Sequence, residues 1–234
     1  MLLRSCATFA SVALGRTVVS EPGDSDDEIV CFDDVDPDDE TPDEDTPEQA
    51  IDLLRRALSS ELRAQPPQSA LTDAAAQLRQ GLGTDAKPFR YMRRAQTLAA
   101  ELPAEDVDLV VCAAAAFITP RGIGLAPEDV DRIASLEKAD WFGAVVGLVR
   151  GGAGTSASPA RLVQAINECP EVDGQVSPVD ADPVEAAFEL VLPAWEAAGV
   201  VDADWRVTTL GCWVLPRALA AAWGGNVDGP SPLP

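Results

Sequence analysis

Asp182-Pro183-Val184-Glu185-Ala186-Ala187-Phe188-Glu189-Leu190-Val191-Leu192-Pro193-Ala194-Trp195-Glu196-Ala197-Ala198-Gly199-Val200-Val201-Asp202-Ala203-Asp204-Trp205-Arg206-Val207-Thr208-Thr209-Leu210-Gly211 is the stretch whose reading decides the fold. Val184, Ala187, Phe188, Val191, Leu192 and Trp195 recur at the three- and four-residue intervals that place side chains on one face of a helix. Asp182 reads as the N-cap, Pro183 as the first helical residue and Glu185 as the returning half of a capping box. Pro193 is expected to kink this helix without ending it, and Gly199 to end it. Beyond Gly199, Val201 and Val207 read as facing residues of a short hairpin turning at 202–204. Thr208 or Thr209 then caps a last helix carrying Trp213, Leu215, Leu219 and Trp223.

Upstream the pattern stays helical. Thr46 and Gln49 form a capping box around Pro47, and Ile51, Leu54, Leu58 and Leu62 follow at helical spacing until Pro66 and Pro67. Further helices are expected at 71–82, at 88–102 with Phe89, Met92, Leu98 and Leu102 as apolar marks, and from Pro103 through the nearly apolar Val107, Val110, Val111, Ala114 and Ala115. Helices at 127–136, 139–149 and from Ser158 and Pro159 through Ile166 complete the series. The glycine-rich 151–156 reads as a flexible connection; no lysine follows it, so it is not a phosphate-binding loop.

The 200–211 segment resembles the end of a winged-helix domain: a helix finishing Ala197-Ala198-Gly199-Val200-Val201, a wing turning at Asp202 and Asp204 with Arg206 beside it, and a Val207-Thr208-x-x-Gly211 entry into a last helix. The resemblance spans 158–223 and implies either DNA binding or protein docking. A fainter echo, Ile118-Thr119-Pro120-Arg121-Gly122 followed by Leu125 and Pro127, implies a degenerate second copy within 46–150. The helix that would enter a major groove carries Glu185, Glu189 and Glu196, and its upstream counterpart Glu105, Asp106 and Asp108. These repel phosphates, whereas DNA readers supply arginine, lysine, asparagine or glutamine.

Alanine supplies much of the 47% hydrophobic content and aromatics only 5%, which favours close-packed helices over aromatic-rich sheets. The fold class expected is therefore mainly α: a helical bundle with one or two winged-helix-like units, preceded by an acidic, disordered segment. The net charge of -22 is uneven. Residues 1–20 carry two arginines and no acid, 21–48 fifteen acids and no base, and the remainder twenty-four acids against fifteen bases. Residues 21–45 cannot pack such charge away. Their Asp34, Asp36, Asp38 and Asp45 imitate a calcium loop, but Asp39 stands where glycine is needed. In 1–20, Arg4 and Arg16 leave eleven uncharged residues between them, too few for a membrane span, and Arg16 also argues against an export signal.

Cys6, Cys31, Cys112, Cys169 and Cys212 lie far apart without a C-x-x-C pair, the pattern of reduced thiols, so a cytoplasmic protein is expected. No histidine occurs anywhere, which removes serine–histidine triads, histidine-paired cysteines and histidine-ligated metals. No catalytic residue, cofactor or metal ligand is assigned. Candidate contact residues are the basic cluster Lys87, Arg90, Arg93 and Arg94, a docking patch of Trp195, Trp213 and Trp223, and the wing residues Asp202, Asp204 and Arg206. The acidic segment is expected to mask the basic cluster through weak, salt-sensitive pairing. The function expected is that of a non-enzymatic regulatory or adaptor protein with a basic protein partner. A DNA-binding regulator of winged-helix type and an enzyme using carboxylates alone are the alternatives.

Overall fold

In the computed structural model of the chain, residues 46–94, 102–118, 127–172, 176–225 and 227–228 are described, and among them the regular elements are α-helices, one 3-10 turn and two isolated β-bridges. The helices are α1 (Pro47–Ala57), α2 (Gln68–Leu82), α3 (Lys87–Arg94), α4 (Asp106–Ala115), α5 (Pro127–Ala134), α6 (Lys138–Gly151), α7 (Pro159–Asn167), α8 (Ala181–Ala197) and α9 (Thr209–Ala222), with the 3-10 turn at Glu61–Arg63. The described helices lie in one compact unit within Pro47–Pro234. The protein is mainly α-helical.

The apolar periodicity sets what is buried. Ile51, Leu54 and Leu58 of α1 and its exit go inside, as do Leu71, Ala74, Ala75, Leu78 and Leu82 of α2. The run from Cys112 in α4 to Ile118 just beyond it is buried without a break, and α2, α8 and α9 pack against this helix. Helices from either side of 151–157 share this core: α9 packs on α4 and α6 alike. Around α8, the Trp141 ring meets Phe188 edge-on at 5.6 Å and lies 6.3 Å from Trp195, arrangements favoured by the ring quadrupoles.

Three local expectations are corrected. The helix expected at 88–102 is described only as Lys87–Arg94; residues 95–101 are outside the described residues, and Leu102 lies beyond the helix with 45% of its surface exposed. Helix α8 starts at Ala181 rather than at a capping Asp182. Asp180 is its N-cap without a side-chain cap bond, and its carboxylate accepts instead from the Ser177 hydroxyl at 2.6 Å. The glycine-rich 151–156 is no loose connection: Gly154 N–H donates to Val207 O at 2.7 Å and Val207 N–H to Thr155 O at 2.8 Å.

Candidate functional site

The corner at 199–211, expected as a wing and labelled so below, is built from the end of α8 outward. Gly199 adopts φ 71°, which an L side chain resists, and with it the last turn closes by Gly199 N–H to Glu196 O at 2.9 Å and Val200 N–H to Trp195 O at 2.8 Å. This pair of bonds is a Schellman closure, and it turns the chain into the wing. Val201 and Val207 pair antiparallel, both buried. A third segment joins them: Ser156 bridges Arg206, and Ala157 N–H donates to Trp205 O at 2.7 Å.

At the tip, one Asp202 carboxylate oxygen accepts from the backbone N–H of Asp204 at 3.0 Å and of Arg206 at 2.9 Å. Trp205 sits at φ 53°, a left-handed conformation strained for a bulky residue. It is held there by Trp205 N–H to Asp202 O at 2.9 Å and by the Ala157 bond. The Arg206 guanidinium donates to Gly154 O at 3.0 Å. Thr208 fastens the far side: its hydroxyl donates to Gly199 O at 2.6 Å and accepts from Gly211 N–H at 2.9 Å, capping α9. Of the two threonines, Thr208 is the cap. Gly211 is required by closeness, because a Cβ there would lie 2.1 Å from Val200 O.

The outward side of α8 continues this corner. Opposite the buried Val184, Ala187, Phe188, Val191, Leu192 and Trp195 lie Asp182, Glu189 and Glu196, exposed, and Glu185, half-buried. Their spacing spans under a quarter turn about the axis over about 21 Å of helix. None of these four, nor Asp202 or Asp204, makes an ion pair among the described residues.

The basic cluster is split by the structure. Lys87 Nζ and Arg90 Cζ lie 5.8 and 5.4 Å from the centre of the Tyr91 ring, which is cation–π geometry. Arg93 pairs with Asp85 at 3.0 Å and donates to Thr84 O at 3.2 Å. Arg94 ends α3. The tryptophan docking patch is corrected: Trp195 is fully buried and donates its indole N–H to Ala114 O at 3.2 Å, Trp213 is 7% exposed, and only Trp223 is half-buried. Trp195 and Trp213 are core residues, because α8 and α9 turn them onto α4 and the interior. The acidic segment 21–45, Cys6, Cys31 and the repeat echo at 119–126 lie outside the described residues.

Arg217 went unnoticed in the sequence, yet it is a buried cation at 8% exposure. The signal was a lone arginine in an otherwise apolar helix. Burial pushes the thiols of Cys169 and Cys212 up from their ordinary range, which keeps both in the poorly nucleophilic protonated form at neutral pH. Among the described residues no group of three or more acids and cysteines could hold a metal ion, and no helix is long and apolar enough to cross a membrane. No family model, curated protein or solved structure matches the chain.

Proposed function

We propose that this chain is a non-enzymatic regulatory or adaptor protein of winged-helix-like build, which docks through α8 and the wing onto a basic surface of a protein partner. The observation that carries the reading is the carboxylate line Asp182, Glu185, Glu189 and Glu196 on the outward side of α8, continued by Asp202 and Asp204 on the wing. In the DNA-binding members of that class the corresponding helix enters the major groove, flanked by the two phosphate backbones. Carboxylates there oppose a polyanion and suit lysine and arginine side chains, steering their approach at low salt. Support for the winged-helix reading comes from α7 and α8 followed by the Val201–Val207 pair and α9 in that order. The free thiols of Cys169 and Cys212 suit a reducing compartment, and we place the protein in the cytoplasm.

The test is capture from native lysate with and without nuclease, beside direct titration with duplex DNA. The reading expects nuclease-resistant partners, lost when Glu189 and Glu196 are changed to lysine with the melting temperature unchanged, and no DNA binding at physiological salt. A partner list that disappears with nuclease, or saturable duplex binding, transfers the assignment to a DNA-binding regulator.

A further inference from the structure

Helix α3, Lys87-Pro88-Phe89-Arg90-Tyr91-Met92-Arg93-Arg94, carries four bases and no acid. In a chain with 39 acids against 17 bases, a base seldom lacks a carboxylate to pair with. Most described arginines have found one: Arg79 pairs with Asp106, Arg150 with Glu171 and Arg217 with Asp228. Lys87 and Arg90 pair with none among the described residues and rest on the Tyr91 ring instead. Tyr91 is half-buried and packs against the core, so the ring that gathers these two cations is itself fixed by the fold.

A counter-charge of matching spacing stands on the neighbouring helix, unused. Helix α3 packs against α8, yet no carboxylate of α8 forms an ion pair with Lys87 or Arg90 within the chain. Bases stand at 87, 90 and 94 on α3, and acids at 182, 185 and 189 on α8. Each row steps by three residues and then by four, which keeps it on one side of its helix over about 10 Å. The two rows are therefore equal in length, opposite in sign and carried by adjoining helices. A surface that bears both is self-complementary: a two-fold axis can set α3 of one copy on α8 of the other and repeat the contact in reverse.

We propose that the basic surface recognised by the α8 line is α3 of a second copy of this chain, so that the protein forms a two-fold dimer with two α3–α8 contacts. The inference rests on the α8 reading given under the proposed function and names its partner. Beyond residue 48 the chain carries twenty-four acids against fifteen bases, so two copies repel at long range. The attraction is local, acting within a screening length of about 8 Å at physiological salt. The dimer is accordingly weak, reversible and dissolved by salt.

The experiment is sedimentation equilibrium of the full chain at physiological salt and up to about 1 mM, the range in which weak contacts populate. Two charge-reversed chains accompany the wild type: Lys87→Glu with Arg90→Glu, and Glu185→Lys with Glu189→Lys. The expected result is a wild-type dimer, self-association weakened at least tenfold in each variant alone, and a dimer restored when the two variants are mixed in equal amounts. In the mixture each chain offers the other an opposite charge at both contacts, and the restored dimer itself shows that both variants are folded. Raising the salt to about 1 M, where screening acts over about 3 Å, should dissociate either dimer. Variants that dimerise like wild type, or a mixture that stays monomeric, overturn the proposal. A monomeric wild type overturns it as well. If that monomer still captures a nuclease-resistant partner that the chain with Glu189→Lys and Glu196→Lys loses, the α8 reading stands with another protein as its partner; if it captures none, both readings fall.

Discussion

The wing corner and the α3 corner each gather charged residues around one aromatic side chain, and they hold them in opposite ways. In the wing, Asp202 is fixed by two backbone N–H groups, Arg206 by Gly154 O, and Trp205 by backbone bonds on both sides. In α3, Lys87 and Arg90 lean on Tyr91, and Arg93 reaches an Asp85 whose side chain is 93% exposed. Backbone groups are already ordered by the fold, so a charge tied to them loses little further freedom. The α3 cations rest mainly on other mobile side chains, Arg93 also donating to Thr84 O, so they must largely be ordered anew with each contact, and water screens them. The wing thus presents the Asp202 carboxylate in one geometry, and α3 offers cations without one.

Substitutions should separate the two corners, and the largest effect belongs to Gly211. With Val200 O where a methyl group would go, Gly211→Ala is expected to cost about 3 kcal/mol in urea denaturation. A loss below 1 kcal/mol would mean that the wing and α9 slide apart easily, and the contrast with α3 would fail. Thr208→Ala removes a cap and a tie to Gly199 O, for a loss of about 1 kcal/mol that Thr208→Ser should largely restore. Asp202→Ala frees two backbone donors at the tip and should cost roughly the same as one lost hydrogen bond, near 1 kcal/mol. On the other corner, Arg93→Ala should cost no more than about 0.5 kcal/mol, and salt should erase the difference. A larger, salt-resistant loss there would show α3 to be as firmly built as the wing.

The smallest effect is a pH dependence that involves neither corner and so calibrates both. Its hydrogen bond with Arg150 holds the Glu171 carboxyl below the usual carboxylate range. A depressed folded-state value means that the stabilisation is present above the unfolded value and is lost as pH falls through the folded one. Burial has the opposite effect on Asp140 and raises it. Its ionised form weighs against folding above that raised value, and the penalty disappears as pH falls below the unfolded one. Glu171→Gln should therefore flatten the acid limb of the stability profile relative to wild type, whereas Asp140→Asn should remove the relief and steepen it.

Much of the helical core was legible because periodicity is local. The α8 stripe, the Gly199 stop and the Val201–Val207 pairing each follow from residues within a few positions of one another. What was missed depended on distance along the chain. Gly154 and Thr155 read as a loose glycine run because their partner, Val207, lies some fifty residues on. The start of α8 was misplaced because Asp182, Pro183 and Glu185 imitate a capping box, whereas the helix starts one residue earlier, after Asp180, with no side-chain cap bond. Lys87, Arg90, Arg93 and Arg94 read as one cluster because they lie close together in the sequence, but Asp85 and Thr84 O take Arg93. Arg217 carried no periodic signal, and its carboxylate lies beyond two glycines in a segment that reads as tail.

The pairing of Ser156 with Arg206 also sets an order of events. Helices α6 and α7 pack together across a short turn, whereas the third segment of the wing must wait until a loop of fifty residues has closed. Closing long loops is slow because chain entropy is lost before the contact forms. The turn at 202–206 closes between residues at most four apart, so by the same reasoning it is expected to form before Thr155 and Ser156 dock against Val207 and Arg206. Arg206→Ala, which removes the bond to Gly154 O across that loop, should accordingly speed unfolding and leave the refolding rate nearly unchanged in stopped-flow measurements, the signature of a contact made after the transition state.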